Sequence, residues 1–160
     1  MDASALLNSA RAKGLTIATA ESCTGGMVSA AITDIPGSSD VFDRGFVTYT
    51  NAAKQQMLGV ADATLAAHGA VSEQVAGEMA AGALAQSNAR IAVSITGIAG
   101  PGGSDHKPEG RVCFGVASPS MTSTETCEFG ALGRDKVRQA ATKHALALLQ
   151  QAVDSYPPDN

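Results

Sequence analysis

The sequence predicts an α/β protein, a three-layer α/β/α sandwich around a mixed, mostly parallel five-stranded sheet. Three observations carry this. Short β-branched apolar runs alternate along the chain with longer stretches of helical apolar spacing. The first and third of those runs, Leu15 to Ala20 and Arg90 to Thr96, end in hydroxyl- and glycine-rich turns of the kind that α/β proteins place at the carboxyl ends of parallel strands. The last two runs are joined only by Pro119-Ser120-Met121, too short for a crossover, which makes a hairpin and at least one antiparallel strand.

Each element has its own signal. Asp2 to Lys13 carries Ala5, Leu6, Ala10 and Ala12 at helical spacing, with Asp2 or Ser4 available as a cap and Gly14 as a stop. Leu15 to Ala20 reads as a short buried strand, Gly25-Gly26 lets the backbone turn, and a helix follows from Met27 to Ile35, ended by Pro36. Gly37-Ser38-Ser39-Asp40 offers capping residues ahead of a second strand over Arg44 to Thr50. Asn51, a good N-cap, opens a short helix to Gly59, and Asp62 to His68 forms another. Ser72 to Asn88 is a longer helix whose Ala76, Gly77, Ala81, Gly82 and Ala85 keep it slim, which suits close packing and raises the expectation of a homodimer face. The third strand, Arg90 to Thr96, reads as buried on both faces. Gly97 to Glu109 is a long irregular segment with four glycines and two prolines, and loops of that length in compact domains are usually functional. Gly110 to Ser118 and Thr122 to Phe129 form the hairpin, Arg134 to Val153 the terminal helix, and Ser155 to Asn160 a frayed tail.

Composition narrows the function classes. At 160 residues and 44% hydrophobic, the chain fits one compact domain spanning 1–160. Aromatic residues make up only 4% and Trp is absent, so no stacking platform for bases is available, and a net charge of −4 without a Lys/Arg cluster disfavours a nucleic-acid partner. Cys23, Cys113 and Cys127 lack paired metal or redox spacing and read as reduced thiols. His68, His106 and His144 lie far apart in sequence, with His144 on the inner side of its helix, so no metal site is expected. No apolar run approaches the ~20 residues that span a bilayer, and no basic-then-apolar leader is visible, so a cytoplasmic protein without a membrane partner is expected.

The polar residues of the turns are the candidates for chemistry. Neither GxxxxGK[ST] nor GxGxxG is present. Ser22, Ser38, Ser39 and Thr96 sit in or beside glycine-containing turns where loops converge at one end of a parallel sheet. A hydroxyl attacks only when a base removes its proton, and no Ser-His-Asp set is evident. Lys54, desolvated at a helix start, can serve as that base, since burial and a positive dipole end both disfavour its charged form. Tyr49, at a strand end, can orient a nucleophile or substrate, and Arg134 can grip an anion through its planar fork. The plain structural alternatives are a capping Ser39, a surface Lys54, a half-buried Tyr49 and an exposed Arg134.

Taken together, Ala20-Glu21-Ser22-Cys23-Thr24-Gly25-Gly26, Gly37-Ser38-Ser39, Arg44 to Lys54, His68-Gly69-Ala70-Val71-Ser72, Ser94 to Gly103 and Lys107-Pro108-Glu109-Gly110 closely resemble the CinA C-terminal domain family. The resemblance implies a compact α/β/α fold with no required cofactor. It also implies hydrolysis of the carboxamide of nicotinamide mononucleotide to nicotinate mononucleotide and ammonia, a step of pyridine nucleotide recycling. The family's serine/lysine machinery falls on Ser39 as nucleophile and Lys54 as base, with Tyr49 close by; Ser22 also belongs to a matched motif and is the alternative nucleophile. Ser22, Thr24 and the turn at Gly25 are then expected to contact substrate and oxyanion, and Thr96, Gly97 and Arg134 the ribose phosphate. Leu132-Gly133 precede Arg134 where the family commonly has Gly-Asp, so Arg138 or Arg111 can share its role. The competing functions are a pocket that only binds a nucleotide or a partner protein, and an amidase for another nucleotide amide.

Overall fold

The computed structural model describes residues 2–157; Pro158, Asp159 and Asn160 of the expected frayed tail lie outside the described residues. The chain runs α1 (Ser4–Ala12), β1 (Ile17–Glu21), α2 (Met27–Thr33), a 3-10 turn (Ser38–Asp40), β2 (Phe42–Val47), α3 (Asn51–Leu58), α4 (Asp62–His68), α5 (Glu73–Ala85), β3 (Ile91–Gly97), β4 (Arg111–Ala117), β5 (Thr122–Glu128) and α6 (Arg134–Ser155). The strands form one sheet in the order β2-β1-β3-β4-β5. β1 pairs in parallel with β2 and β3, whereas β3–β4 and β4–β5 are antiparallel, so β4 alone runs against the other strands. Ser118 and Met121 close the hairpin with reciprocal backbone hydrogen bonds around Pro119-Ser120.

Two apolar cores flank the sheet and make the three layers. On one face, Ile17, Ile91, Val93, Ile95 and Phe114 pack under α1, α2 and α6. On the other, Ala18, Ala20 and Ala92 meet Leu58, Leu65, Val75, Met79 and Ala83 of the helices α3, α4 and α5. The successive side chains of β1 alternate between the two, as strand geometry requires. β1 is buried along its whole length, and so is β3 as far as Thr96, because helices cover both of their faces.

The slimness of α5 is used inside the chain. A Cβ on Gly82 would lie 2.0 Å from the Leu58 carbonyl oxygen, and one on Gly115 would lie 2.5 Å from that of Ala76. Glycine at these positions, Gly82 in α5 and Gly115 in β4, lets α5 sit against α3 and β4, while Ala81 and Ala85 of the same helix are exposed. Among the described residues, no helix is long and apolar enough to cross a membrane.

Two local boundaries differ from expectation. Thr50, rather than Asn51, caps α3, its hydroxyl accepting from the Ala53 amide at 3.1 Å. β2 ends at Val47; the Thr48 amide still donates to the Glu21 carbonyl, and the carbonyls of Thr48 and Tyr49 accept from Lys54 Nζ.

Candidate active site

The site lies where β1, β2 and β3 end. Ser22 follows β1 directly, and its amide donates to the Ile95 carbonyl, so the sheet ladder continues one residue past the strand and fixes the serine backbone. The turn beyond it is held from two sides. Glu21, fully buried, accepts five hydrogen bonds: from the Thr24 hydroxyl, from the amides of Gly26, Val28 and Ser29, and from the Ser29 hydroxyl. A carboxylate with this many donors at a helix N-terminus is well compensated for burial. From α6, Arg138 donates to the carbonyls of Cys23 and Thr24. Gly25 and Gly26 have φ of 55° and 108°, the left-handed conformation that makes the turn possible.

Lys54 is delivered by the first turn of α3 and is only 1% exposed. Its Nζ is 3.0 Å from Ser22 Oγ, 3.1 Å from the Thr48 carbonyl and 3.4 Å from that of Tyr49. Burial lowers its pKa below the ordinary lysine value, with the neighbouring Cys23 acting weakly in the opposite sense. A protonated Lys54 donates to all three oxygens; a neutral amine at the same distances can donate to the two carbonyls and accept from the serine hydroxyl. Cys23 stands beside Ser22 in the same cavity, but burial pushes its thiol up to about 11, so it is protonated and poorly nucleophilic near neutral pH.

Ser22, Cys23, Asn51, Lys54 and Thr96 line a cavity of about 220 Å³, which adjoins one of about 350 Å³ lined by the Gly97 to Asp105 loop. Tyr49, Ala70, Val71, Gly97, Ala99 and Arg134 border both. Arg134 bridges the two lobes, donating to the Gly100 carbonyl and to the Tyr49 hydroxyl, each at 2.7 Å. Tyr49 is accordingly 57% exposed at the mouth rather than half-buried. Glu109 ties the glycine loop to the start of α6 by accepting from the amides of Gly102 and Gly133. Thr96 donates to the Ala70 carbonyl at 2.8 Å, and Lys107 holds the same segment through the carbonyls of His68 and Val71.

Ser22, Lys54, Tyr49, Thr96, Gly97 and Arg134 therefore come together, and Ser39 does not. Ser39 is exposed in the 3-10 turn that precedes β2, at the opposite end of the sheet. The start of β2 at Phe42 pairs with Ile17, the start of β1, so the length of β1, roughly 3.3 Å per residue, separates Ser39 from Ser22. Its turn is anchored instead by Arg11, which pairs with Asp40 and donates to the Gly37 carbonyl. Thr24 and Gly25 shape the turn without lining the cavity, the Thr24 hydroxyl being committed to Glu21. Arg138 holds backbone, and Arg111 pairs with Glu128 across β4 and β5, so neither borders these lobes with Arg134. Sequence reasoning missed Asn51, Cys23 and Glu21. Asn51 had the look of a cap, a task that Thr50 takes, and Asn51 instead lines the cavity.

This is an α/β/α domain with a buried serine–lysine pair at the carboxyl end of a parallel strand pair. The model of the CinA C-terminal domain matches residues 2–153, and the chain belongs to that family. A protein from Escherichia coli strain K12 named nicotinamide-nucleotide amidohydrolase PncC is 56% identical over 142 residues, covering 88% of this chain and 86% of its own. A protein of the same name from Enterobacter agglomerans is 61% identical over 108 residues, 67% of this chain and 66% of its own. Among solved structures, a CinA superfamily protein from Klebsiella pneumoniae superposes with a TM-score of 0.92 at 35% identity, covering 96% of each chain. A competence/damage inducible protein from Agrobacterium tumefaciens superposes with a TM-score of 0.87 at 44% identity over 97% of this chain and 99% of its own.

Proposed function

We propose that the protein is a nicotinamide-nucleotide amidase that hydrolyses the carboxamide of nicotinamide mononucleotide to nicotinate mononucleotide and ammonia. The observation that carries this reading is the 3.0 Å contact between Lys54 Nζ and Ser22 Oγ in a cavity that opens onto a glycine loop and an arginine. The names of the E. coli and Enterobacter relatives agree with it.

In this reading Ser22 Oγ attacks the carboxamide carbon while its proton passes to the lone pair of neutral Lys54. In this reading the amide of Cys23, the residue after the nucleophile, meets the developing oxyanion. Collapse of the tetrahedral intermediate breaks the C–N bond, and Lys54 returns the proton to the leaving ammonia. A water then attacks the Ser22 ester, giving its proton to Lys54, which hands it back to Ser22 as the acid departs. The Asn51 side-chain amide, which has no protein partner among the described residues, is suited to orient the carboxamide. Arg134, the Tyr49 hydroxyl and the Gly97 to Gly103 backbone suit the ribose phosphate, and the adjoining lobe of about 350 Å³ gives it room. The protein acts as a cytoplasmic enzyme without a nucleic-acid partner, in keeping with its net charge of −4 and three free thiols.

Ammonia release by the purified protein with nicotinamide mononucleotide tests the proposal, run beside other nucleotide amides. Release with this substrate above the others supports it. Release only with another amide reassigns the substrate, and binding without release makes the domain a binding module.

A further inference from the structure

A second group of reactive side chains lies away from the amidase cavity. On the α6 face of the edge strand β5, Glu125 and Cys127 sit two residues apart, and His144 reaches them from α6. Cys127 Sγ is 3.4 Å from His144 Nε2, His144 Nε2 is 3.2 Å from Glu125 Oε2, and Cys127 Sγ is 3.8 Å from the same carboxylate oxygen. A tetrahedral zinc ion, with bonds of about 2.3 Å to sulfur and about 2.0–2.1 Å to nitrogen or oxygen, sets its ligand atoms roughly 3.3–3.6 Å apart. The three atoms thus already stand near the corners of one face of such a tetrahedron.

We infer that Glu125, Cys127 and His144 form a three-ligand site for a zinc-class divalent cation, with the fourth position open to water. The donor set decides the class of ion: a thiolate with an imidazole selects zinc over magnesium and calcium, which favour all-oxygen shells. The imidazole is pre-oriented, its ring centroid lying 4.7 Å from that of Phe114 and 6.2 Å from that of Phe129. The His144 and Glu125 side chains retain 30% and 45% exposure, so the ion has an entry path and its water a place to sit. Binding forms a metal–sulfur bond and releases the thiol proton to solvent, with no change of oxidation state. The ion would fasten β5, which has a neighbour on one side only, to the long helix α6.

The site is invisible to spacing rules because His144 lies 17 residues beyond Cys127 and meets it only through the packing of α6 on the sheet. The amidase reading neither needs it nor depends on it. Its test is a titration of the reduced, chelator-treated full chain with Co²⁺, the spectroscopic stand-in for zinc. One equivalent should produce a thiolate-to-cobalt charge-transfer band and the strong visible bands of four-coordinate cobalt, and zinc should displace them. Cys127→Ser, a one-atom change, should abolish the charge-transfer band. Glu125→Gln, at a partly exposed edge position, should weaken binding by at least about tenfold, the scale on which even outer-shell partners act. Cys113→Ser should change neither. Absence of the band in the folded wild-type chain, or its persistence in Cys127→Ser, would overturn the assignment.

Discussion

Lys54 Nζ lies 3.0 Å from Ser22 Oγ, and its remaining contacts are two backbone carbonyls rather than a carboxylate. A buried ammonium without a counter-ion is expensive, whereas a neutral amine in the same place is not. The two carbonyls come from the residues just past the end of β2, Thr48 and Tyr49. Lys54→Met should therefore keep the fold, by circular dichroism, while ammonia release falls about a thousandfold or more.

The same burial fixes a pH dependence. Lys54 has a folded-state pKa below its unfolded value, because burial disfavours the charged form. Between those two values the unfolded chain binds more protons than the folded one, so stability rises with pH through that window. Wild-type protein should show this alkaline gain in urea titrations, and Lys54→Met should lack it. Turnover should rise with pH over the folded-state titration as the amine becomes neutral; turnover that falls there would contradict a lysine base.

Much of the fold was legible in the residues, because its signals are local. The alternation of apolar runs, the glycine stops and the Pro119-Ser120 turn each act within a few positions, and they located the five strands and six helices found among the described residues. The site was legible only in part. Ser22 and Ser39 have equally suggestive local settings, each a hydroxyl beside glycine, and only the register of β1 against β2 puts one near Lys54 and the other at the far end of the sheet. Thr24 has the look of a ligand because its partner Glu21, three residues away, gives no pattern until the carboxylate folds back over the turn.

Glu21 carries a prediction of its own. In Glu21→Gln one of the two oxygens becomes an NH₂ group, which cannot accept from the Ser29 amide or hydroxyl. Leaving buried donors unmatched costs about 1–3 kcal/mol. Thermal unfolding should fall by roughly 2–4 °C for each kcal/mol. Turnover should drop with it, since the turn that carries Ser22 loosens.

Arg134 joins the glycine loop to Tyr49 through two guanidinium bonds. Arg134→Ala should raise KM for nicotinamide mononucleotide by at least about tenfold, the loss of a charge-assisted contact of roughly 1.5–3 kcal/mol. The corresponding riboside, which has no phosphate, should be turned over equally by both proteins. An equal loss on both substrates would place Arg134 in shaping the cavity instead of holding phosphate.

The most direct measurement is ammonia release from nicotinamide mononucleotide by Ser22→Ala and Ser39→Ala side by side. The account predicts a fall of about a thousandfold or more in Ser22→Ala and near wild-type turnover in Ser39→Ala. Turnover retained in Ser22→Ala and lost in Ser39→Ala would contradict it.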